Sequence, residues 1–292
     1  MEMMMDRVDK INGILDGMDA GFSVSFERVA KNNATLDALA VRPDEIGVMA
    51  PVVYLNGELL EKTDAELAYL LKDMYMSNRR QAPDMAAMLA KERVLGTVLP
   101  KLVSADNAER LAGKEIVHKR ILDLLVCYYM PVDEFGTTDG STIATIQVTE
   151  PMLRHANISM EELGAAALEN MREEVEIRNM ADMLQELTGT PMPGCDEGLP
   201  MLVISNRSHY LGAGVILLPS VREELARILG CDSYYILPSS IHECIVIPDD
   251  SHMDSEALVD MVKEINGTVV DPADRLSDSV YIVRGSEFSI AG

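Results

Sequence analysis

Two apolar spacings alternate along this chain, and together they predict a mixture of helices and strands. Residues 3–16 repeat at helical spacing and predict an amphipathic helix. Phe22, Val24, Phe26 and Val29 then switch towards a period of two. Lys31-Asn32-Asn33 follows, and Leu36, Leu39 and Val41 come after it, which predicts two antiparallel strands around an Asn-rich turn. The run APVVYLN at 50–56 predicts a short buried extended segment. Thr63 and Glu66 form a capping box, because a hydroxyl and a carboxylate three residues apart satisfy the first free N–H groups of a helix reciprocally. Leu67, Leu70, Leu71 and Met74 supply that helix's apolar face. A further helix is expected after Pro83, with Met85, Met88 and Leu89 inward, and residues 121–130 and 142–148 predict strands.

The second half repeats these signals. Ser159 and Glu162 form another capping box ahead of Met160, Leu163, Ala167, Leu168 and Met171, and helix is expected on to about Leu187. Residues 188–200 hold three prolines and two glycines besides Gly189 and read as a loop. Strands are expected at 201–204 and, with helix as the alternative, at 212–218. Ser220 and Glu223 predict a third capped helix ending at Gly230. Tyr234–Leu237 and Cys244–Ile247 predict a strand pair, Asp254 caps a last helix ending near Asn266-Gly267, and Ser279–Val283 predicts a closing strand. Strands that cluster early and then occur singly between helices indicate an α+β fold, with mixed or antiparallel sheets packed against helices. A bilobed arrangement, 1–150 and 151–292, is expected, either as two lobes or as one continuous domain.

Composition narrows the function classes. The 292 residues are 48% hydrophobic and 25% charged, as in an ordinary globular protein, but there is no Trp and there are 20 Met, so Leu, Val, Ala and Met fill the core. The formal net charge is -23. Nucleic acid is a polyanion, so direct binding to it is not expected. The acids divide evenly at residue 150, 24 on either side, whereas the bases number 16 before it and 9 after. No run of about 18 apolar residues predicts a membrane span, and the charged N-terminal residues do not form a secretion signal. Cytoplasm is the expected location. The cysteines, Cys127, Cys195, Cys231 and Cys244, contain no C-x-x-C pair and predict neither a zinc knuckle nor a disulfide framework.

The stretch richest in chemistry is Pro238-Ser239-Ser240-Ile241-His242-Glu243. Hydroxyl, imidazole and carboxylate within six residues are the ingredients of nucleophilic hydrolysis, with Ser239 or Ser240 attacking and His242 and Glu243 assisting. The same residues also read as a turn whose hydroxyls bond the local backbone, or as a ligand contact. Val246 occupies the position where a zinc-protease helix needs its second histidine. A looser set of His242, Cys244, Asp249, Asp250 and His252 follows no metal-ligand spacing. No metal and no cofactor is therefore expected. Gly212-Ala213-Gly214 has Leu217 where a dinucleotide loop needs its third glycine. Asn206, Arg207, Ser208 and His209 form a polar loop, in which Asn206 and His209 are candidate contacts for a ligand or partner. The basic spots Arg79-Arg80 and Lys114/His118/Lys119/Arg120 are expected to pair with acidic neighbours. Glu161, Glu162, Glu169, Glu173 and Glu174 make an acidic helix face that reads as solvated.

Five stretches also carry a family resemblance: VAKNN at 29–33, APVVYLN at 50–56, YLGAGVIL at 210–217, YILPSSIHECIVIPDD at 235–250 and LSDSVY at 276–281. On these the chain resembles an uncharacterised bacterial family, a domain of unknown function common in gut anaerobes and found near mobile genetic elements. Gly214 and Cys244 depart from it where alanine and an aliphatic residue are expected. The resemblance implies no catalytic residue. The leading expectation is a non-enzymatic acidic protein of a bacterial cell or mobile element that binds another protein, perhaps a basic one. The alternatives are a hydrolytic enzyme centred on residues 238–243 and a nucleic-acid mimic that blocks a DNA-binding enzyme.

Overall fold

The computed structural model describes residues 2–82, 84–132, 145–189, 200–238, 240–249 and 254–291. Two compact units divide the chain, Met1–Met88 and Leu89–Gly292. The division at about residue 150 expected from sequence falls inside the second unit. Every strand pairing among the described residues is antiparallel, which with the helices makes an α+β fold.

The first unit opens with α1 (Glu2–Gly17), followed by the hairpin β1 (Phe22–Ala30) and β2 (Thr35–Pro43). Lys31 donates its N–H to Ala34 O, and Asn33 takes the left-handed conformation (φ 54°) that asparagine tolerates better than most residues. The short pair β3 (Val48–Met49) and β5 (Arg80–Gln81) lies apart, while β4 (Val52–Tyr54) joins the free side of β2. In β4 only Val53 is buried and Val52 is exposed, so this segment is an edge and not the buried strand expected. Asn56 caps α2 (Gly57–Glu61), and Thr63 and Glu66 close the expected capping box on α3 (Asp64–Asn78). The buried face of α3 is Leu67, Ala68, Leu71 and Tyr75. Leu70 and Met74 lie half-buried beside it. A short α4 (Met85–Met88) buries Met88 and exposes Met85.

The second unit contains two sheets. The smaller follows α5 (Lys91–Thr97) and is built from β6 (Leu99–Ser104), then, after α6 (Ala108–Ala112), from β7 (His118–Ile121), β8 (Leu124–Pro131) and β9 (Thr145–Gln147). Strands run in the order β6-β8-β7, and β9 also pairs with β8. The strand expected at 121–130 forms as β8 from Leu124 on, while Ile121 ends a separate β7, because Leu122 turns through φ 52° and lets β7 fold onto β8. Next come α7 (Glu150–Ala156) and α8 (Met160–Arg172). Ser159 and Glu162 cap α8 as expected. Glu162 also accepts from Lys91 Nζ at 2.8 Å.

The larger sheet has the order β10-β11-β13-β12-β14-β15. Its β10 (Val175–Asn179) replaces helix expected from sequence; α9 (Met180–Thr188) begins only after it. β11 (Leu202–Asn206) leads to a 3₁₀ segment, Gly212–Leu217, and then to α10 (Pro219–Leu229). Helix α10 starts on Pro219 with no side-chain cap, so the Ser220/Glu223 box expected from sequence is absent. Proline at the first helical position, needing no N–H partner, sets the start instead. Gly230 ends α10 with φ 69°. β12 (Ser233–Leu237), β13 (Cys244–Pro248), α11 (Ser255–Thr268), β14 (Tyr281–Arg284) and β15 (Glu287–Ile290) complete the unit. Asp254 caps α11 as expected.

One face of the large sheet, with Tyr234, Ile236, Val246 and Tyr281, joins α5, α8 and the small sheet in the main core. The other face, with Tyr235, Leu237, Ile247 and Ile282, is covered by Leu258 and Val262 of α11. Asp123, in the β7–β8 turn, accepts from Ser277 Oγ (2.6 Å) and Tyr281 Oη (2.8 Å), tying the two sheets together. Gly214 touches the small sheet so closely that an added Cβ would lie 2.8 Å from Pro100 O. The alanine expected there from the resemblance would need this contact to open. Cys244 is fully buried in the main core, where burial pushes its thiol up, so it serves as an apolar filler.

The Glu162 cluster gives a pH test. Hydrogen bonds from Lys91 and from the Ser159 N–H hold this carboxyl at about 2, below its ordinary 4.5. A depressed carboxylate adds stability that is complete above 4.5 and is lost as pH falls towards 2. Thermal melts should therefore place Glu162→Gln below the wild type at neutral pH, with the gap narrowing steadily on acidification below 4.5. A gap that stays constant in acid would contradict this account.

Candidate functional site

The segment singled out by sequence connects β12 to β13. Ser239 lies outside the described residues. Ser240 closes a turn: its N–H donates to Glu243 O, and its Oγ accepts from the His242 N–H at 3.0 Å. The Ser240 hydroxyl is thus directed at the backbone and not at the imidazole. His242 is partly buried, and its Nδ1 accepts from the Leu211 N–H at 3.1 Å. The ring proton consequently sits on Nε2, which faces Asp274 Oδ1 at 3.4 Å. The imidazole also packs against the Tyr210 ring, centroids 5.5 Å apart. Glu243 is partly buried next to it.

The polar loop after β11 meets this turn through backbone groups. Ser205 Oγ donates to His242 O at 2.8 Å, and the Ala213 N–H donates to Ile241 O. Asn206 is almost fully buried. Its Oδ1 accepts from the Tyr210 N–H and Ser208 Oγ, and its Nδ2 donates to Tyr210 O. These bonds build the loop that carries Leu211 (φ 56°) to His242. His209 points elsewhere, its Nε2 2.9 Å from Glu176 Oε2. The structure therefore brings Asn206, Ser240 and His242 into one cluster of loops, and leaves His209 outside it. Among the described residues no group of His, Cys, Asp and Glu has the arrangement of a metal site. Asp250 and His252 lie outside those residues.

Two of the cavities formed by the described residues lie elsewhere, and none of the candidate residues lines either. The more polar one sits between β10 and α9, among Arg178, Asn179, Asp182 and Glu186. The other is a cleft of about 590 Å³ between the small sheet and α8. That volume falls inside the range of about 300–1,000 Å³ in which proteins take ligands. Pairing register puts Lys119 beside Val126 and Pro100 beside Tyr128, so their side chains share the face that looks at α8. Ile121 follows on the same face. Opposite stand Met160, Glu161, Gly164, Ala165 and Leu168, and Leu217 adds to the lining.

Small residues open this cleft. Gly164 and Ala165 leave space where larger side chains of α8 would fill the gap to β7. An added Cβ on Gly164 would already lie 3.4 Å from Tyr128 Oη. Burial raises the Tyr128 phenol above its ordinary value of 10, and the ring forms a neutral floor. Charge is confined to the mouth, at Lys119, Arg120 and Glu161. The pairing of the basic spot with acidic neighbours, expected from sequence, is not found. Among the described residues Lys114, Lys119 and Arg120 form no ion pair, and Arg120 Nε instead donates to Leu122 O. Sequence reasoning missed the cleft. Its only traces were that basic spot and the small run at 164–167.

Residues 5–284 match a family of unknown function (DUF5688), and the chain belongs to that family. No curated protein and no solved structure matches the chain. No described helix is long and apolar enough to cross a membrane.

Proposed function

We propose that this protein is a non-enzymatic interaction module, and that it seats a partner protein in the cleft between β7, β8 and α8. The observation that carries this is the unfilled apolar space beside a strand whose outer edge has no described neighbour. β7 ends the order β6-β8-β7, and among the described residues nothing pairs with its outer edge. The bonding of Ser240 and His242 supports binding over hydrolysis: the Ser240 hydroxyl and His242 Nδ1 both serve the backbone, so among the described residues of this segment no hydroxyl is set against the imidazole. Two members of the acidic face, Glu162 and Glu169, are already paired with Lys91 and Arg172, which weighs against a phosphate-like band of free carboxylates. A bacterial cell or mobile element is the setting we infer for this interaction.

Site-specific photo-crosslinking in cells tests the seat. A photoreactive residue at Ile121 or Leu168 is expected to give a discrete protein adduct, and one at Glu243 none. Adducts confined to the exposed acids of α11 (Glu256, Asp260, Glu264) would instead favour a basic partner on that acidic face, and would overturn the cleft as the seat.

A further inference from the structure

Building on that seat, we infer the chemistry of its occupant: an extended peptide that alternates apolar and acidic residues and adds to β7 as a further strand. Three features converge on this. The outer edge of β7 offers main-chain N–H and C=O groups that no described strand takes up. Strand addition uses such groups for affinity and uses pockets for alternate side chains to choose the sequence. The cleft opens along the Lys119/Ile121 face of this strand. Every second residue of an added strand would therefore point into apolar space over Val126 and Tyr128. The residues between would point away from that apolar space, where acids meet Arg120 at the mouth. Lys119 at the mouth adds a second cation, and Glu161 on the α8 lip disfavours an acid inside the cleft.

A short edge strand bearing Lys and Arg is also a device that discourages pairing. An edge with that purpose alone needs no apolar cleft beside it. The cleft, lined by Ile121, Met160 and Leu168, is what gives β7 a site to offer. A basic partner is excluded at this place by the same cations, although the chain as a whole carries -23.

The test is fluorescence anisotropy on the full chain with three labelled peptides: Glu-Leu-Glu-Leu-Glu-Leu-Glu, its lysine counterpart, and the glutamate peptide with its central leucine replaced by proline. The glutamate peptide is expected to bind and to weaken with added salt, the proline peptide to lose about tenfold or more, and the lysine peptide not to bind. Arg120→Glu should weaken the glutamate peptide about tenfold and let the lysine peptide bind. Arg120→Gln, the milder change, should weaken the first by less without admitting the second. Circular dichroism checks that each variant is folded. Equal binding of the acidic and basic peptides would overturn the charge assignment while leaving the seat intact, provided that Ala165→Phe abolishes both. Binding of none of the peptides would overturn the inference, and capture of dodecanoate alone, lost in Ala165→Phe, would reassign the cleft to a small amphiphile. Failure of the seat itself is distinct: a peptide would bind with an affinity that Ala165→Phe leaves unchanged.

Discussion

Gly212→Ala is expected to destabilise the second unit by about 3 kcal/mol or more, the largest effect of an added methyl group at any described glycine. A Cβ there would lie 2.3 Å from Ser205 Oγ, 2.5 Å from the Asn206 nitrogen and 2.7 Å from His242 O. Two of the three are backbone atoms within a bonded cluster, so no side chain can swing aside to relieve them all. Urea unfolding of wild type and variant measures the loss. Gly13→Ala is the control: it lies in α1 with nothing within 4 Å of its added Cβ, and should gain about 0.5–1 kcal/mol from helix propensity alone. Equal effects at the two positions would mean that the 205–212 loop and the 240–243 turn do not approach as described.

His242→Ala is expected to cost about 2–3 kcal/mol, also by urea unfolding. It strands the N–H of Leu211, a buried residue in the left-handed region, and removes the ring that packs on Tyr210. A left-handed leucine already costs roughly 1–2 kcal/mol, so this turn depends on its partners. His242→Asn can return an acceptor to nearly the place of Nδ1 and should recover about half of the loss. A side chain held only for proton transfer would behave otherwise, since its removal would cost little stability. No loss in His242→Ala would reopen the hydrolase alternative.

Much of the local chemistry was legible in the sequence, the Ser220/Glu223 box excepted; tertiary placement was not. The capping boxes at Thr63 and Ser159, the Asn33 turn and the Gly230 stop depend on neighbours within a few residues, and each forms as expected. GAGVIL at 212–217 has no period to separate strand from helix. Gly212 and Gly214 allow it to coil against Ser205, His242 and Pro100, all distant in sequence. Strand β10 was hidden because Val175–Asn179 directly follows α8 without a Pro or Gly to mark the change. The hairpin at 118–131 was hidden by Leu122, a residue type that gives no turn signal. At the candidate segment, whether Ser240 and His242 face each other or the backbone depends on Leu211, which is distant in sequence. The cleft depends on Gly164 and Ala165 standing opposite Lys119 and Ile121, a relation set only when α8 packs on the small sheet.

Amide chemical-shift mapping with the alternating glutamate–leucine peptide tests the central claim most directly. Strand addition at the cleft predicts shifts clustered at residues 118–121, 126–128 and 160–168, with those at 205–212 and 240–243 unmoved. Shifts centred on the loops around His242, with β7 silent, would contradict it.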